Sequence, residues 1–249
     1  PPPPPPPPPP LFFFKQMTAY ESMPSLVGSE ICIRDRVRSI KIICEAFEVQ
    51  VINIKQRAVD VYRAKKIIYA GQKHALKYVF PPDGYLFKDN EYAPWLIINF
   101  VLNDKVKSDS FWQNEFLMGD PHFMGFVDNA SQIRIKENYR VFTAYYCFDS
   151  TQRILLNSIT DRAQEIVADT VEKICMYFNQ DISSQVEKVF LKVMGHAMPI
   201  PKIGYLFNDK NLVRSEPNIV YAGVDNSRLP LLFEALDSGI QAIIELDLV

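Results

Sequence analysis

Hydrophobic positions along this chain change their period several times, and each change predicts a different kind of element. Residues from Arg38 alternate loosely, Val49-Gln-Val-Ile-Asn-Ile54 has period two, and Ala58-Val-Asp-Val-Tyr62 follows beyond a turn at Gln56-Arg57. These read as strands. Ile67-Ile-Tyr-Ala-Gly71 and Ile219-Val-Tyr-Ala-Gly223 are short apolar runs closed by glycine, the form of buried strands. Their shared ending predicts that both point at one site through their C-terminal ends. Tyr92 to Leu102 and Arg140 to Phe148 are aromatic and β-branched with polar residues interspersed, as a sheet with one face on a core requires. His122 to Asp128 and Val186 to Met194 predict two more strands, the latter followed by an irregular Gly195 to Lys202.

Two stretches have helical period. Leu155, Ile159, Ile166, Thr170, Ile174 and Phe178 trace one stripe, behind a capping box of Asp149 and Gln152. They predict one long amphipathic helix. Leu232, Leu236, Ile240 and Ile243 trace a second stripe from Leu231 to about Leu246, with Pro230 suited to the first helical position. Ala235, Gly239 and Ala242 are small enough to let that helix approach a neighbouring backbone. A shorter helical run covers Lys73 to Tyr78.

Pro81-Pro-Asp-Gly84 is the strongest boundary signal. The fold class expected is therefore α/β: residues 37–82 and 215–249 form one domain, interrupted over 83–214 by an α+β insert with a mixed sheet and one long helix. No internal repeat is present.

The first residues stand apart. Ten prolines would be solvated polyproline II. Lys15-Gln-Met-Thr-Ala-Tyr-Glu21 resembles a translated sequencing-library adapter, and Leu26 to Arg36 resembles a translated transposase adapter. Residues 1–36 are accordingly expected to be artefactual and disordered, as in metagenomic read-through, rather than a proline-rich ligand or a signal peptide.

Setting them aside leaves roughly 210 residues, enough for one large domain or two small ones. The net charge of −2 is unaffected, because Lys15, Arg34 and Arg36 balance Glu21, Glu30 and Asp35. Near-neutrality gives no sign of a nucleic-acid or anionic-membrane partner. No apolar run approaches the roughly 18 residues of a membrane span. Cys44, Cys147 and Cys175 are widely spaced and read as buried free thiols in a reducing compartment.

With these elements in place, Val51-Ile-Asn-Ile54, Ala64-Lys-Lys-Ile-Ile-Tyr-Ala-Gly71, Asn218-Ile-Val-Tyr-Ala-Gly-Val-Asp225 and Glu234-Ala-Leu-Asp-Ser-Gly239 stand in an order that resembles the C-terminal half of a flavin-dependent oxidoreductase of the amine oxidase superfamily. Tyr92-Ala-Pro-Trp-Leu-Ile-Ile-Asn-Phe100 and Met194-Gly-His-Ala-Met-Pro199 resemble a bacterial branch of FAD-dependent oxidoreductases. The resemblance spans most of Val49 to Val249.

It implies the later part of a Rossmann-like FAD-binding domain around a substrate domain. FAD is the implied cofactor, and hydride transfer from a small organic molecule the implied reaction, an amine being favoured over a carotenoid-like substrate. Val51 is the position implied to contact the adenine, and Asp225 the one implied to hydrogen-bond the ribityl or phosphate region. Ala70, Gly71 and Gly223 belong to the same strand ends. Leu232 and Phe233 match the helix start whose backbone N–H groups face the flavin pyrimidine edge.

Two departures stand out. Ser227-Arg-Leu-Pro230 replaces the usual glycine before the helix; Arg228 would pair with a phosphate or be solvated. The G-x-G-x-x-G of a dinucleotide-binding βαβ unit is missing from the sequence. The chain is therefore expected to be a fragment, inactive by itself, with its native N-terminus absent. That leaves a periplasmic location open beside the favoured cytoplasmic one. A non-catalytic interaction domain is the alternative from another class.

His196, Trp95 and Asn99 are the substrate-cavity candidates, with structural roles as the competing reading for each. Trp95 and Asn99 alternate onto one strand face, and Tyr145 and Tyr146 point to opposite faces. His74, His122 and His196 lack metal-ligand spacing, and nothing marks a hydrolytic triad.

Overall fold

The structure, a computed structural model, describes residues 14–16, 35–53, 56–103, 111–116, 119–131, 139–159, 161–203 and 213–248. The excluded stretch 1–36 lies largely outside these residues. It nevertheless contributes a short strand, β1 (Phe14–Gln16), and the first two residues of β2 (Asp35–Ile43). Two compact units are present, one containing Ala93–Ala197 and β1, the other the described residues on either side of that span. The expected insert over 83–214 is thus wider than the unit observed.

The first unit is a six-stranded mixed sheet with one long helix. Its strand order is β1, β10 (Val186–Pro199), β6 (Tyr92–Asn103), β9 (Tyr139–Cys147), β8 (Phe123–Asp128), β7 (Gln113–Glu115). β6 and β9 are antiparallel, with Asn99 opposite Thr143 and Phe100 opposite Phe142. Strict alternation buries Leu96, Ile98, Phe100 and Leu102 on one face, leaving Trp95, Ile97, Asn99 and Val101 half-buried on the other. The buried face joins Val167, Val171 and Ile174 of α2 (Ala163–Phe178) in a single core. Burying each such side chain contributes roughly 1.5–3 kcal/mol. Gly125 in β8 has φ +112°, and a Cβ there would lie 2.0 Å from the Asn114 carbonyl oxygen. Only glycine permits that approach.

Two expectations in this unit are corrected. Asp149 and Gln152 do form a capping box, but it caps a 3₁₀ segment, Ser150–Ser158, and α2 begins separately at Ala163. The Ser158 hydroxyl donates to the Leu155 carbonyl at 3.1 Å, competing for a backbone acceptor near the break. Leu155 is consequently half-exposed rather than part of an inner stripe. The stretch Gly195 to Pro199, expected to be irregular, continues β10.

In the second unit, β2, β3 (Ala46–Asn53) and β4 (Ala58–Ala64) form an antiparallel meander. β5 (Ile67–Tyr69) pairs in parallel with β11 (Ile219–Tyr221). Ile40, Phe47, Leu76, Val79, Phe80, Phe87, Ile219 and Tyr221 form the core beneath them, with α1 (Leu76–Val79) supplying two. β11 is buried throughout, but β5 is not, for Ile68 is 38% exposed.

The expected boundary at Pro81 to Gly84 is instead packed inside this unit. Asp83 is fully buried, accepting hydrogen bonds from Ser215 N–H at 2.8 Å and Tyr221 O–H at 2.5 Å. The units divide at Tyr92 and Ala93, within a strand, where no turn chemistry marks the place. Cys44 lies exposed at the β2–β3 turn and Cys147 and Cys175 are half-buried, Cys175 packing against the core, so the three are free but none is fully buried. Among the described residues no helix is long and apolar enough to cross a membrane.

Candidate functional site

β5 and β11 run side by side residue for residue, Ile67 beside Ile219 and Tyr69 beside Tyr221. The Ala222 N–H donates to the Tyr69 carbonyl at 3.1 Å, extending the ladder past the strands. Ala70-Gly71 and Ala222-Gly223 therefore leave the pair at the same end, the location where open parallel sheets bind ligands. Ala70 and Gly71 are exposed there.

The chain then turns through Gly223, whose φ of +115° favours glycine. The Gly223 N–H donates at 2.7 Å to the hydroxyl of Ser238, on α3 (Leu232–Glu245). Ser238 donates in turn to the Ala235 carbonyl at 3.1 Å. One hydroxyl thus ties the turn to the last helix.

Asp225 is 8% exposed, and its carboxylate is held on one side only. Oδ2 accepts from the Lys73 backbone N–H at 2.8 Å and from the Tyr92 hydroxyl at 3.0 Å. Oδ1 takes no hydrogen bond from the described residues. Asn90 donates to the Asp225 carbonyl at 2.9 Å and accepts from Arg228 Nε. Arg228 is 5% exposed with φ +62°. It is buried rather than solvated, and through Asn90 it braces the turn.

Lys73 closes the arrangement. It is 2% exposed, and its ammonium donates to the carbonyls of Ala222, Gly71 and Tyr69, the latter two at 3.2 and 3.3 Å. Three N–H donors meet three carbonyls drawn from the ends of both strands. Burial pushes the Lys73 pKa down to about 8, against the opposing pull of the Asp225 charge. Burial likewise pushes the Tyr92 hydroxyl up.

Lys73, Tyr92, Asn90 and Ser238 were not singled out from the sequence. The signal available was Lys73 itself, a cation two residues beyond an Ala-Gly strand end. Tyr92 was read only as the start of a strand and Asn90 only as its approach, and neither carried a site signal.

Leu232 and Phe233 open α3 with their side chains 73% and 80% exposed, and no side chain caps the helix. Leu231 takes the N-cap, displacing Pro230 to the residue before it. Val51 lies elsewhere, buried in the middle strand of the meander opposite Val37 and Asp60.

In the other unit, Trp95 and Asn99 share the half-buried sheet face with Tyr145 and Thr143. The Trp95 and Tyr145 rings meet edge-on at 5.7 Å. Thr143 Oγ1 donates to Asn99 Oδ1 at 2.7 Å. Along β10, Val189 and Leu191 face the helix side, so alternation puts His196 on the same face as Trp95 and Asn99. Among the described residues no group of three His, Cys, Asp or Glu side chains could hold a metal ion.

No family model matches the chain, and no curated protein does. Among solved structures, it is similar to an oxidoreductase from Methanosarcina mazei, with 10% identity and a TM-score of 0.49 over 85% of this chain and 49% of that one. It is similar also to CabE, an aromatic hydroxylase from angucycline biosynthesis, with 10% identity and a TM-score of 0.44 over 85% and 39%. OxyS anhydrotetracycline hydroxylase from Streptomyces rimosus gives 8% identity and a TM-score of 0.36 over 82% and 36%. The chain spans about half or less of the length of these three structures, and the likeness is loose.

Proposed function

We propose that the chain is part of a flavin-dependent oxidoreductase, with the β5–β11 strand ends and the Gly223–Arg228 turn as part of its FAD site. The observation that supports this best is the half-satisfied carboxylate of Asp225. Lys73 and Tyr92 fix one oxygen, and the other is left to accept a hydroxyl such as those of a ribityl or ribose chain. A hydrogen bond to a charged acceptor is worth roughly 1.5–3 kcal/mol.

The residues present fit such a group. Exposed backbone at Ala70 and Gly71 and the glycine at 223 allow close approach. The first turn of α3 offers unpaired N–H groups and the positive end of a helix. Val51 would serve the adenine separately. When bound, FAD supplies a hydride acceptor. The substrate is an organic molecule with an oxidisable C–H bond, amine-like by the sequence resemblance, and Trp95, Asn99 and His196 are the residues that would face it.

Titrating the 249-residue chain with FAD tests this. Binding is expected to be weak but saturable, and Asp225→Asn should weaken it at least about tenfold. Asparagine can still accept from Lys73 and Tyr92 while turning an N–H₂ group outward, so the turn itself should persist. Unchanged affinity in the variant would overturn the assignment. A non-catalytic interaction module is the second reading, favoured by the exposed apolar stripe of α3. It would gain from an absence of saturable FAD binding.

A further inference from the structure

A cavity of about 280 Å³ lies in the first unit, on the helix-facing side of the sheet. Trp95 and Asn99 are on the opposite side, so this cavity plays no part in the substrate face proposed above. Its apolar wall is Leu96, Tyr146, Phe148, Leu155, Ile159 and Ile166, and Asp120, His122, Ser158, Arg162 and Asp169 complete the lining. The volume is just below the range of drug-sized pockets and suits one ring or a short branched chain.

The polar part of the lining offers acceptors. His122 Nδ1 lies 3.3 Å from the Cys147 carbonyl oxygen, so Nδ1 carries a proton, and in the neutral ring Nε2 is the acceptor. The ring is held by stacking on Phe148 at 4.8 Å. Ser158 spends its hydroxyl proton on the Leu155 carbonyl, so toward the cavity it too accepts. Lys173 bridges Asp120 and Asp169, at 2.7 Å to each. It uses Asp169 Oδ2 and leaves Oδ1 without a partner among the described residues.

Two carboxylates against one ammonium leave one negative charge in excess. Arg162 does not cancel it, being paired with Glu165 at 2.9 Å in an exposed bridge. Burial pushes the Asp120 pKa up, but hydrogen bonds from Lys173 and the His122 N–H outweigh it and hold the carboxyl below its ordinary value.

We propose that this cavity binds a small primary ammonium ion with an aromatic or branched apolar body, its N–H donors meeting His122 Nε2, Asp169 Oδ1 and Ser158 Oγ. The ring or chain would lie against Phe148, Leu155 and Ile159. An anion is disfavoured by the two carboxylates, and a neutral alcohol has one donor where three acceptors wait.

Calorimetric titration of the chain with 2-phenylethylammonium, 2-phenylethanol and phenylacetate distinguishes these. The ammonium should bind saturably and at least about tenfold more tightly than the alcohol, and phenylacetate should not bind. Asp169→Asn should weaken the ammonium about tenfold and leave the alcohol unchanged. Leu155→Trp, which fills the cavity from a half-exposed position, should abolish both, with melting curves confirming that each variant is folded. Phenylacetate binding as tightly as the ammonium would overturn the proposal. So would an absence of saturable ammonium binding, or an unaltered affinity in folded Asp169→Asn. None of these outcomes depends on FAD.

Discussion

α2 and α3 are helices of similar length and similar apolar content, yet they use their hydrophobic stripes in opposite ways. α2 drives Val167, Val171 and Ile174 into the core of its sheet, each no more than 4% exposed. α3 packs through Ala242 against Val220, Ala222 and Leu246, while Leu232, Phe233, Leu236 and Ile240 face outward, each more than half exposed. In both, an apolar stripe recurs at helical period, and period alone does not say which stripe is buried. What separates them is the neighbour. A six-stranded sheet offers α2 a wide apolar face, whereas the two-stranded β5–β11 pair offers α3 a narrow one that small residues fill best. The outward stripe of α3 begins at the turn that holds Asp225, so the helix least engaged with a core is the one joined to the candidate site.

Substitutions can break or sharpen that contrast. The largest effect is expected at α2. Ile174→Ala should cost about 2–5 kcal/mol in denaturant unfolding, because the surrounding core cannot collapse onto the space left. A loss below about 1 kcal/mol would mean that the α2 contact is not what holds the sheet.

An intermediate effect is expected at Lys73. Lys73→Met keeps the length of the side chain but leaves the Ala222, Gly71 and Tyr69 carbonyls without their donor, a loss of roughly 1–3 kcal/mol. The pH dependence gives the sign of the charge. The native pKa of about 8 lies below the ordinary 10.5, so between these values the unfolded chain binds more protons than the native one. The Lys73 contribution to stability should rise with pH across that window and fall as pH drops through 8. Tyr69, Tyr92 and Tyr221, all pushed up by burial, act oppositely once unfolded tyrosines ionise near 10. The difference between wild type and Lys73→Met, followed from pH 7 to 9.5, isolates the lysine. A difference that is flat or has the reverse slope would contradict the burial argument.

The smallest effect belongs to α3. Ile240→Gln should change stability by less than about 0.5 kcal/mol. A loss comparable to that of Ile174→Ala would show that the outward stripe is covered in the folded protein, and the contrast between the helices would fail.

Much of this architecture was readable from the pattern of residues. The long alternating strands, the paired Ala-Gly endings and the carboxylate just beyond them follow from local period and turn chemistry, because burial on one face imposes the alternation directly. The division between the units was not readable, since Pro81 to Gly84 looks like a linker while Asp83 is a buried acceptor for Ser215 and Tyr221. Those partners lie more than 130 positions away, beyond the reach of any local signal. The same holds for Asp225, whose place just beyond a strand end was legible but whose supports, Lys73 and Tyr92, come from distant elements. The break between Ser158 and Ala163 was missed because a capping box marks where a helical segment starts and says nothing of whether it continues as α. The acceptor-rich cavity of His122, Ser158 and Asp169 arises from three separate segments that no spacing connects.

The proposed FAD site requires that the Asp225 turn and the adjoining strand ends form one ligand-binding surface. The most direct test is a backbone amide NMR spectrum of the chain recorded with increasing FAD. The signals of Gly71, Gly223, Asp225, Leu232 and Phe233 should shift together with a single saturation curve. Shifts confined to other residues, or none at saturating FAD, would contradict it.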